Sequence, residues 1–374
     1  MKNFKTKLFA AAMAAPLAMS GMSVFATEGE TTATTATTAV IKKELTVPNG
    51  VTTPKATFKF NVTAKKVNSD EATPTNMPTI SEKKVEYSAN DTAPDSTTGN
   101  TKVITKSTGD IFEDVTFEHA GVYVYEVSEQ ANTYTTATNE TMAYDVDKYT
   151  LNVYVTEENG SYAIKSITYG DNNEDKVTAD SIAFQNTYTK KTSTIVDPED
   201  PNFDGMVIKN TVTGDLGDKT RDFSYVVTVT SNGEKPDGAT LTKYNAEGQA
   251  QATTTDSTMT LKHGEYIVAA GYPVGSTYVA YQSDDAPGYD VAATYEGTTG
   301  SASAVDKTGT ATTASTAGFS GIITDKEDAI TVTNTKTGNV NAGNIINNMP
   351  FLGLIAVALG GFIAYIALKR RQNA

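Results

Sequence analysis

The sequence predicts an all-β protein: two tandem immunoglobulin-like antiparallel β-sandwich domains, with an N-terminal signal peptide and a C-terminal transmembrane helix. Three observations carry this. Apolar residues alternate at period two in short runs, as at Phe58, Phe60 and Val62, between turns of Gly, Asn and Asp. The composition favours Thr, Val and Tyr, which suit pleated surfaces, and no helical period is sustained outside the two ends. The alternating runs fall into two blocks, divided by the acidic, proline-broken stretch Asp197-Pro198-Glu199-Asp200-Pro201.

The first 26 residues read as a secretory signal peptide. Lys2, Lys5 and Lys7 form the positive n-region, Leu8 to Met19 is a short apolar run, and Val24-Phe25-Ala26 offers a cleavage site after Ala26. Residues 27–38 are a Thr/Ala-rich lead-in without apolar period. The first sandwich spans 39–189. Its strands include Tyr123, Tyr125 and Val127 on one face, and Tyr149, Leu151, Val153 and Val155 on another. Residues 190–205 form a stiff, solvated linker whose prolines break the spacing that a calcium loop needs. The second sandwich spans 206–337, with Phe223, Tyr225, Val227 and Val229 on one face and a Ser/Thr/Ala/Gly loop over 297–318. Residues 338–374 hold a sorting signal, a membrane helix and a basic tail. Pro350 to Leu368 is an apolar stretch of 19 residues, and Lys369, Arg370 and Arg371 after it mark the cytoplasmic side.

Charge and inventory narrow the chemistry. The net charge is −14. Each end carries three positive charges and no acid, so the exported body stands at −20. Such an acidic body argues against nucleic-acid binding. Cysteine and tryptophan are absent, which removes thiol nucleophiles, zinc–thiolate sites and disulfides. The two histidines, His119 and His263, lie near no nucleophile motif, and a secreted hydrolase finds no acid pair or metal cluster. No metal or cofactor is implied.

Three polar residues stand out because alternation turns them inward. The first strand places Lys43 between Ile41 and Leu45, a middle strand continues from Tyr123, Tyr125 and Val127 to Glu129, and the last strand places Asn186 after Ile182 and Phe184. Buried Lys and Glu are rare unless paired. One reading is a hydrogen-bonded polar cluster. The other is an intramolecular amide bond. Burial favours a neutral amine and a neutral acid. Lys43 would then attack the side-chain amide carbon of Asn186 while Glu129 hydrogen-bonds the amide oxygen and shuttles protons as ammonia leaves.

The run from Val115 to Glu129, VTFEHAGVYVYEVSE, resembles the core of the streptococcal pilin isopeptide-linkage family, the T-antigen-type major backbone pilins of Gram-positive bacteria. Ala183-Phe184-Gln185-Asn186 is similar to that family's closing F-x-N strand. Pro273-Val274-Gly275 with Tyr278-Val279, and Ile330 to Asn334, resemble its second domain. The likeness runs nearly the whole length in the same order. It implies Lys43–Asn186 as the bonded pair and Glu129 as the catalytic carboxyl. In the second domain the family's lysine falls on Asn210, with Lys209 one place early, and its glutamate falls on Gln282, with Asp284 on the same face; only Asn334 remains. That pattern implies a second domain without the bond.

The resemblance further implies a sortase-assembled pilus subunit on the cell surface, structural and not an enzyme. Its partners would be a pilin-class sortase, other copies joined head to tail, and peptidoglycan or a basal pilin, with a host surface ligand as a further partner. The sorting signal falls on Asn339-Val340-Asn341-Ala342-Gly343, which lacks the family's Pro and Thr; Thr337-Gly338 is the alternative cut. Lys176, in the loop before the closing strand, is the lysine that would receive the next subunit. The rival reading is a monomeric wall- or membrane-anchored adhesin.

Overall fold

A computed structural model describes residues 36–338 of the chain, apart from 74–75, 97–98, 171–175, 178–181, 235, 237–239, 255–256, 299 and 314. The expected signal peptide, the apolar stretch Pro350–Leu368 and the sorting residues Asn339–Gly343, Ala342 among them, lie outside the described residues. Every regular element among those described is a strand. The first domain carries β1 (Lys42–Pro48), β2 (Ala56–Val67), β3 (Asp70–Glu71), β4 (Lys83–Tyr87), β5 (Thr101–Ser107), β6 (Gly121–Glu129), β7 (Glu140–Ala143), β8 (Lys148–Glu158), β9 (Ser161–Gly170), β10 (Lys176–Val177) and β11 (Ala183–Lys190). The second carries β12 (Met206–Thr213), β13 (Phe223–Thr230), β14 (Leu241–Tyr244), β15 (Ala250–Thr254), β16 (Thr258–Leu261), β17 (Tyr266–Ala269), β18 (Thr277–Gln282), β19 (Asp290–Glu296), β20 (Ala302–Val305), β21 (Gly318–Ile322) and β22 (Asp328–Thr335).

Period two decides which side of each strand is buried. Along β2, Ala56, Phe58, Phe60 and Val62 turn inward while Lys59 and Asn61 turn out. Each such Phe or Val contributes roughly 1.5–3 kcal/mol by leaving water. The inward sides of the sheet β5-β1-β11-β7 and of the sheet containing β9-β8-β6-β2 close on one core, with Leu45, Phe58, Phe60, Tyr125, Leu151 and Phe184 at its centre. The second domain repeats the plan with the sheets β15-β14-β17-β12-β22-β19 and β16-β13-β18-β21-β20.

Both sandwiches depart from pure antiparallel pairing at the same place. The first and last strands of each domain run parallel: β1 beside β11, with Lys43 opposite Phe184 and Leu45 opposite Asn186, and β12 beside β22, with Asn210 opposite Val332 and Val212 opposite Asn334. The whole intervening domain serves as the crossover that parallel pairing requires. Each domain is therefore entered and left along neighbouring strands pointing the same way.

Two expectations need correction. The 190–205 segment keeps Asp197, Glu199, Pro201 and Asn202 exposed but is anchored at several points rather than solvated throughout. Thr192 is buried and donates its N–H to Tyr272 O, and Phe203 is buried against Val207, Tyr244, Tyr266 and Val268 on the outer side of the second domain. Isolated apolar residues among prolines and acids leave no period to read, so the docking is invisible in sequence. The 297–318 stretch is not one loop, since it contains β20. Its Ala/Ser alternation has little hydropathic contrast, yet β20 pairs with β21. Gly321 admits close packing there, because a Cβ would run into Ser301 O and Ala302.

The domains share a junction. Val274, from the second, packs into the core of the first. Asp325 accepts from the Thr52 N–H at 2.9 Å, and Lys191 bridges Pro273. Gly275 has φ +85° and passes so close to Asn100 O that a Cβ would lie 2.9 Å from it, so both backbone and space require glycine.

Candidate cross-linking site

β1, β6 and β11 bring Lys43, Glu129 and Asn186 together between the two sheets of the first domain. Lys43 and Asn186 come from neighbouring parallel strands, and Glu129 faces them from the opposite sheet, where it sits across from Phe60 on β2. The Lys43 and Glu129 side chains are 0% exposed, which is where an unpaired charge would cost most. Lys43 Nζ lies 3.0 Å from Glu129 Oε2, and Asn186 Nδ2 donates to Glu129 Oε1 at 2.8 Å. One carboxyl thus spans an amine and an amide.

The walls are aromatic. Lys43 Nζ lies 4.8 Å from the centroid of the Phe58 ring, and Phe60 and Tyr149 pack against Phe184. Tyr87 donates its buried hydroxyl to Lys43 O at 2.7 Å and Ile104 O at 3.1 Å, pinning β1 to β5 under the site. In these surroundings burial pushes the Lys43 ammonium down to about 8, against the pull of Glu129. Burial likewise raises the Glu129 carboxyl, against the pull of Lys43. Both shifts favour the uncharged forms.

The carbonyl end of Asn186 differs from expectation. Glu129 meets the amide nitrogen, not the oxygen. Asn186 Oδ1 accepts instead from the main-chain N–H of Asp145 at 2.9 Å. A main-chain N–H can only donate, so it fixes which end of the amide is oxygen. Sequence reasoning missed Asp145. Its only signal is the turn pattern Asp145-Val146-Asp147, in which Asp145 Oδ1 accepts from the Asp147 N–H at 2.8 Å.

In the second domain the counterparts are also brought together, but as neutral amides. Asn210, Gln282 and Asn334 are each 0% exposed. Asn334 Nδ2 donates to Asn210 Oδ1 at 3.0 Å and to Gln282 Oε1 at 2.7 Å, while Gln282 Nε2 donates to Asn334 Oδ1 at 2.9 Å. Tyr225, which stands opposite Gln282 as Phe60 stands opposite Glu129, donates its hydroxyl to Gln282 Oε1 at 2.9 Å. Asn210 Nδ2 donates to Leu261 O, closing the network. Lys209 is exposed on an unbulged β12, and Asp284 pairs with Arg221 outside the cluster.

The remaining residues lie apart. Lys176 stands not in a loop but in β10, a two-residue edge strand paired to Tyr169 and Gly170. Thr337 is exposed, and the Gly338 N–H donates to Asp215 Oδ1 at 2.9 Å. Ala342 and Gly343 are outside the described residues. Among the described residues no group of His, Asp and Glu has the arrangement of a metal site.

Comparison with known proteins follows the same division. Residues 39–189 match the family described as a Spy0128-like isopeptide containing domain, and residues 204–336 match one described as a domain of unknown function (DUF7601). A curated pilin of Streptococcus pyogenes serotype M1 is 28% identical over 266 residues, covering 69% of this chain and 70% of that protein. The crystal structure of the major pilin from Streptococcus pyogenes aligns at 26% identity and a TM-score of 0.34, over 81% of this chain and 99% of that one. The major pilin T3.2 of the same organism aligns at 24% identity and a TM-score of 0.34, over 80% and 99%.

Proposed function

We propose, for a chain that belongs through its first domain to the streptococcal pilin isopeptide family, that it is a structural subunit of a covalent pilus on a Gram-positive cell surface. We read its first domain as locked by a self-made bond between Lys43 and Asn186. One observation carries this reading: a single buried carboxyl, Glu129, bridges the Lys43 amine and the leaving nitrogen of Asn186 in an aromatic pocket.

The chemistry follows from that placement. Glu129 Oε2 takes a proton from the ammonium, which burial already favours. The neutral Nζ attacks Cγ of Asn186, forming the C–N bond. The Glu129 carboxyl then turns that same proton to Nδ2 and recovers one from the new amide nitrogen as the Cγ–Nδ2 bond breaks. Ammonia leaves and Glu129 ends protonated, so charge and hydrogen balance. The reaction turns over once and modifies its own chain, so the protein is not an enzyme in the ordinary sense. Proximity is supplied by the strand register. The product is a neutral amide in place of a buried charge.

Assembly extends the reading beyond one chain. Subunits joined to one another would present the acidic body outside the cell, exported by residues 1–26 and held transiently by Pro350–Leu368. A pilin-class sortase would cut near Gly343 or at Thr337-Gly338 and pass the new terminus to Lys176 of the next subunit, or finally to peptidoglycan or a basal pilin. Two measurements test this. The intact mass of the purified protein should fall short of its sequence by one ammonia, and Lys43→Ala or Glu129→Ala should restore full mass. An immunoblot of cell-wall extract should show a ladder of covalent multimers that Lys176→Ala removes; a single band would indicate a monomeric surface adhesin.

A further inference from the structure

The attack on Asn186 places a negative charge on Oδ1, and Glu129 is not the group that meets it. Its two oxygens are directed at Lys43 Nζ and at Asn186 Nδ2. We propose that the main-chain N–H of Asp145 is the oxyanion donor of the cross-linking step, and that the Asp145 carboxylate is the clamp that aims it. This rests on the cross-linking reading above.

Three features of the fold carry the assignment. The N–H lies 2.9 Å from Oδ1 before reaction, within the range of a working donor. It is held by its own side chain: Asp145 Oδ2 accepts from the Gln185 N–H at 2.7 Å, and Oδ1 accepts from the Asp147 N–H at 2.8 Å. The ladder between β7 and β11 explains the exchange. It ends with Ala143 opposite Thr187, so continuing it by two residues would pair Asp145 with Gln185 through their backbones. A reciprocal pair of bonds replaces that rung. Gln185 gives its N–H to the Asp145 carboxylate, and Asp145 gives its N–H to the Asn186 side chain. The chain thereby gives up a regular rung to direct a donor at the reacting amide.

The second domain supplies the contrast. Asn334 lies two residues beyond the register partner of Asn210, as Asn186 lies two beyond that of Lys43. There β19 stays in register past the site, with Val291 opposite Asn334 and Asp290 opposite Thr335. Asn334 Oδ1 accepts from the Gln282 side chain, and among the described residues no main-chain N–H reaches it. The donor is present where the Lys–Glu pair is present and absent where it is absent.

In the reaction Nζ forms its bond to Cγ, the carbonyl electron pair moves onto Oδ1, and the Asp145 N–H stabilises it without giving up its proton. The pair returns as Nδ2 leaves as ammonia, with the protons carried by Glu129. A single oxyanion donor is worth about 10²–10³ in rate.

The test removes only the N–H. The full chain is made by cell-free synthesis with the α-hydroxy analogue of aspartate at position 145, which replaces that N–H by an ester oxygen, alongside wild type, Asp145→Ala and the unbonded Asn186→Ala. Intact mass is followed after synthesis, with protease resistance of the first domain as the measure of folding. Expected is ammonia loss roughly 100-fold slower in the ester chain than in wild type, with protease resistance no lower than that of the unbonded Asn186→Ala chain. Asp145→Ala, which keeps the N–H and loses the clamp, should slow less. Equal rates in ester and wild type overturn the proposal, as does an ester chain that is slow only because its first domain has lost protease resistance. A wild-type chain that keeps its full sequence mass sinks the cross-link itself, whatever stands at position 145.

Discussion

Lys43 shows how burial shifts an ordinary side chain towards its neutral, nucleophilic form. Its amine is held down to about 8 because desolvation outweighs the attraction of Glu129. The same shift has a measurable cost while the bond is unmade. A lysine whose folded pKa lies below its unfolded value of 10.5 takes up its proton more readily in the unfolded chain. The penalty is full below about 8 and fades as pH rises towards 10.5. In Asn186→Ala, which keeps the Lys43–Glu129 pair but forms no bond, stability should therefore rise across that window, by on the order of 3 kcal/mol. Glu129 acts oppositely at the acid side: its raised folded pKa favours the fold while the carboxyl is protonated and is lost as pH climbs through that pKa. Urea unfolding across the alkaline range checks the first limb. A flat profile would mean that Lys43 is no more buried in the unbonded domain than in the unfolded chain.

At the scale of the element, the parallel pair of first and last strands is the feature both domains share, and only its cargo differs. Asn210 and Asn334 hold the same register offset as Lys43 and Asn186. What changed is chemistry: a closed set of amide hydrogen bonds, completed by the Tyr225 hydroxyl, satisfies every partner and offers neither nucleophile nor proton carrier. The combined substitution N210K, Y225F and Q282E rebuilds the reactive set on these strands, with phenylalanine in the place Phe60 occupies. It should make the second domain lose an ammonia, roughly 100-fold more slowly than the first because no main-chain donor stands over Asn334. Intact mass over time is the readout. Loss as fast as in the first domain would show that the turn at Asp145 is dispensable; no loss at all would show that register alone does not transfer the reaction.

For the whole molecule, the proposed Lys43–Asn186 bond would change what can be pulled apart. Lys43 and Asn186 are 143 positions apart yet lie on neighbouring strands, the one by which the chain enters the domain and the one by which it leaves. A cross-link closing a loop of that size stabilises by about 5 kcal/mol if it behaves as a long disulfide does, and it survives reducing conditions. Force carried along the chain would pass from β1 to β11 through the bond without opening the sandwich. Single-molecule stretching should find the first domain inextensible beyond its folded length, while Lys43→Ala should unfold to its full contour. The second domain, held by packing and amides, should unfold in both. The docked residues of the 190–205 segment and the Val274 contact would make the junction part of this load path.

Period two alone places Lys43, Glu129 and Asn186 on inward faces, because a strand's pleat leaves no other side for a residue between Ile41 and Leu45, or after Phe184, to point. The same rule, helped by family resemblance, reads out Asn210, Gln282 and Asn334. Alternation is local, however, and carries no information about what lies across the core. Tertiary structure decided that Glu129 faces the nitrogen of Asn186 and not its oxygen, since that orientation depends on an N–H from a turn 41 residues earlier. It also decided that Phe203 and Thr192 are buried, that Ala302–Val305 forms a strand, and that Tyr225 lends a hydroxyl to its neighbour. A single polar or small residue has no period, so its role exists only once two distant segments have met.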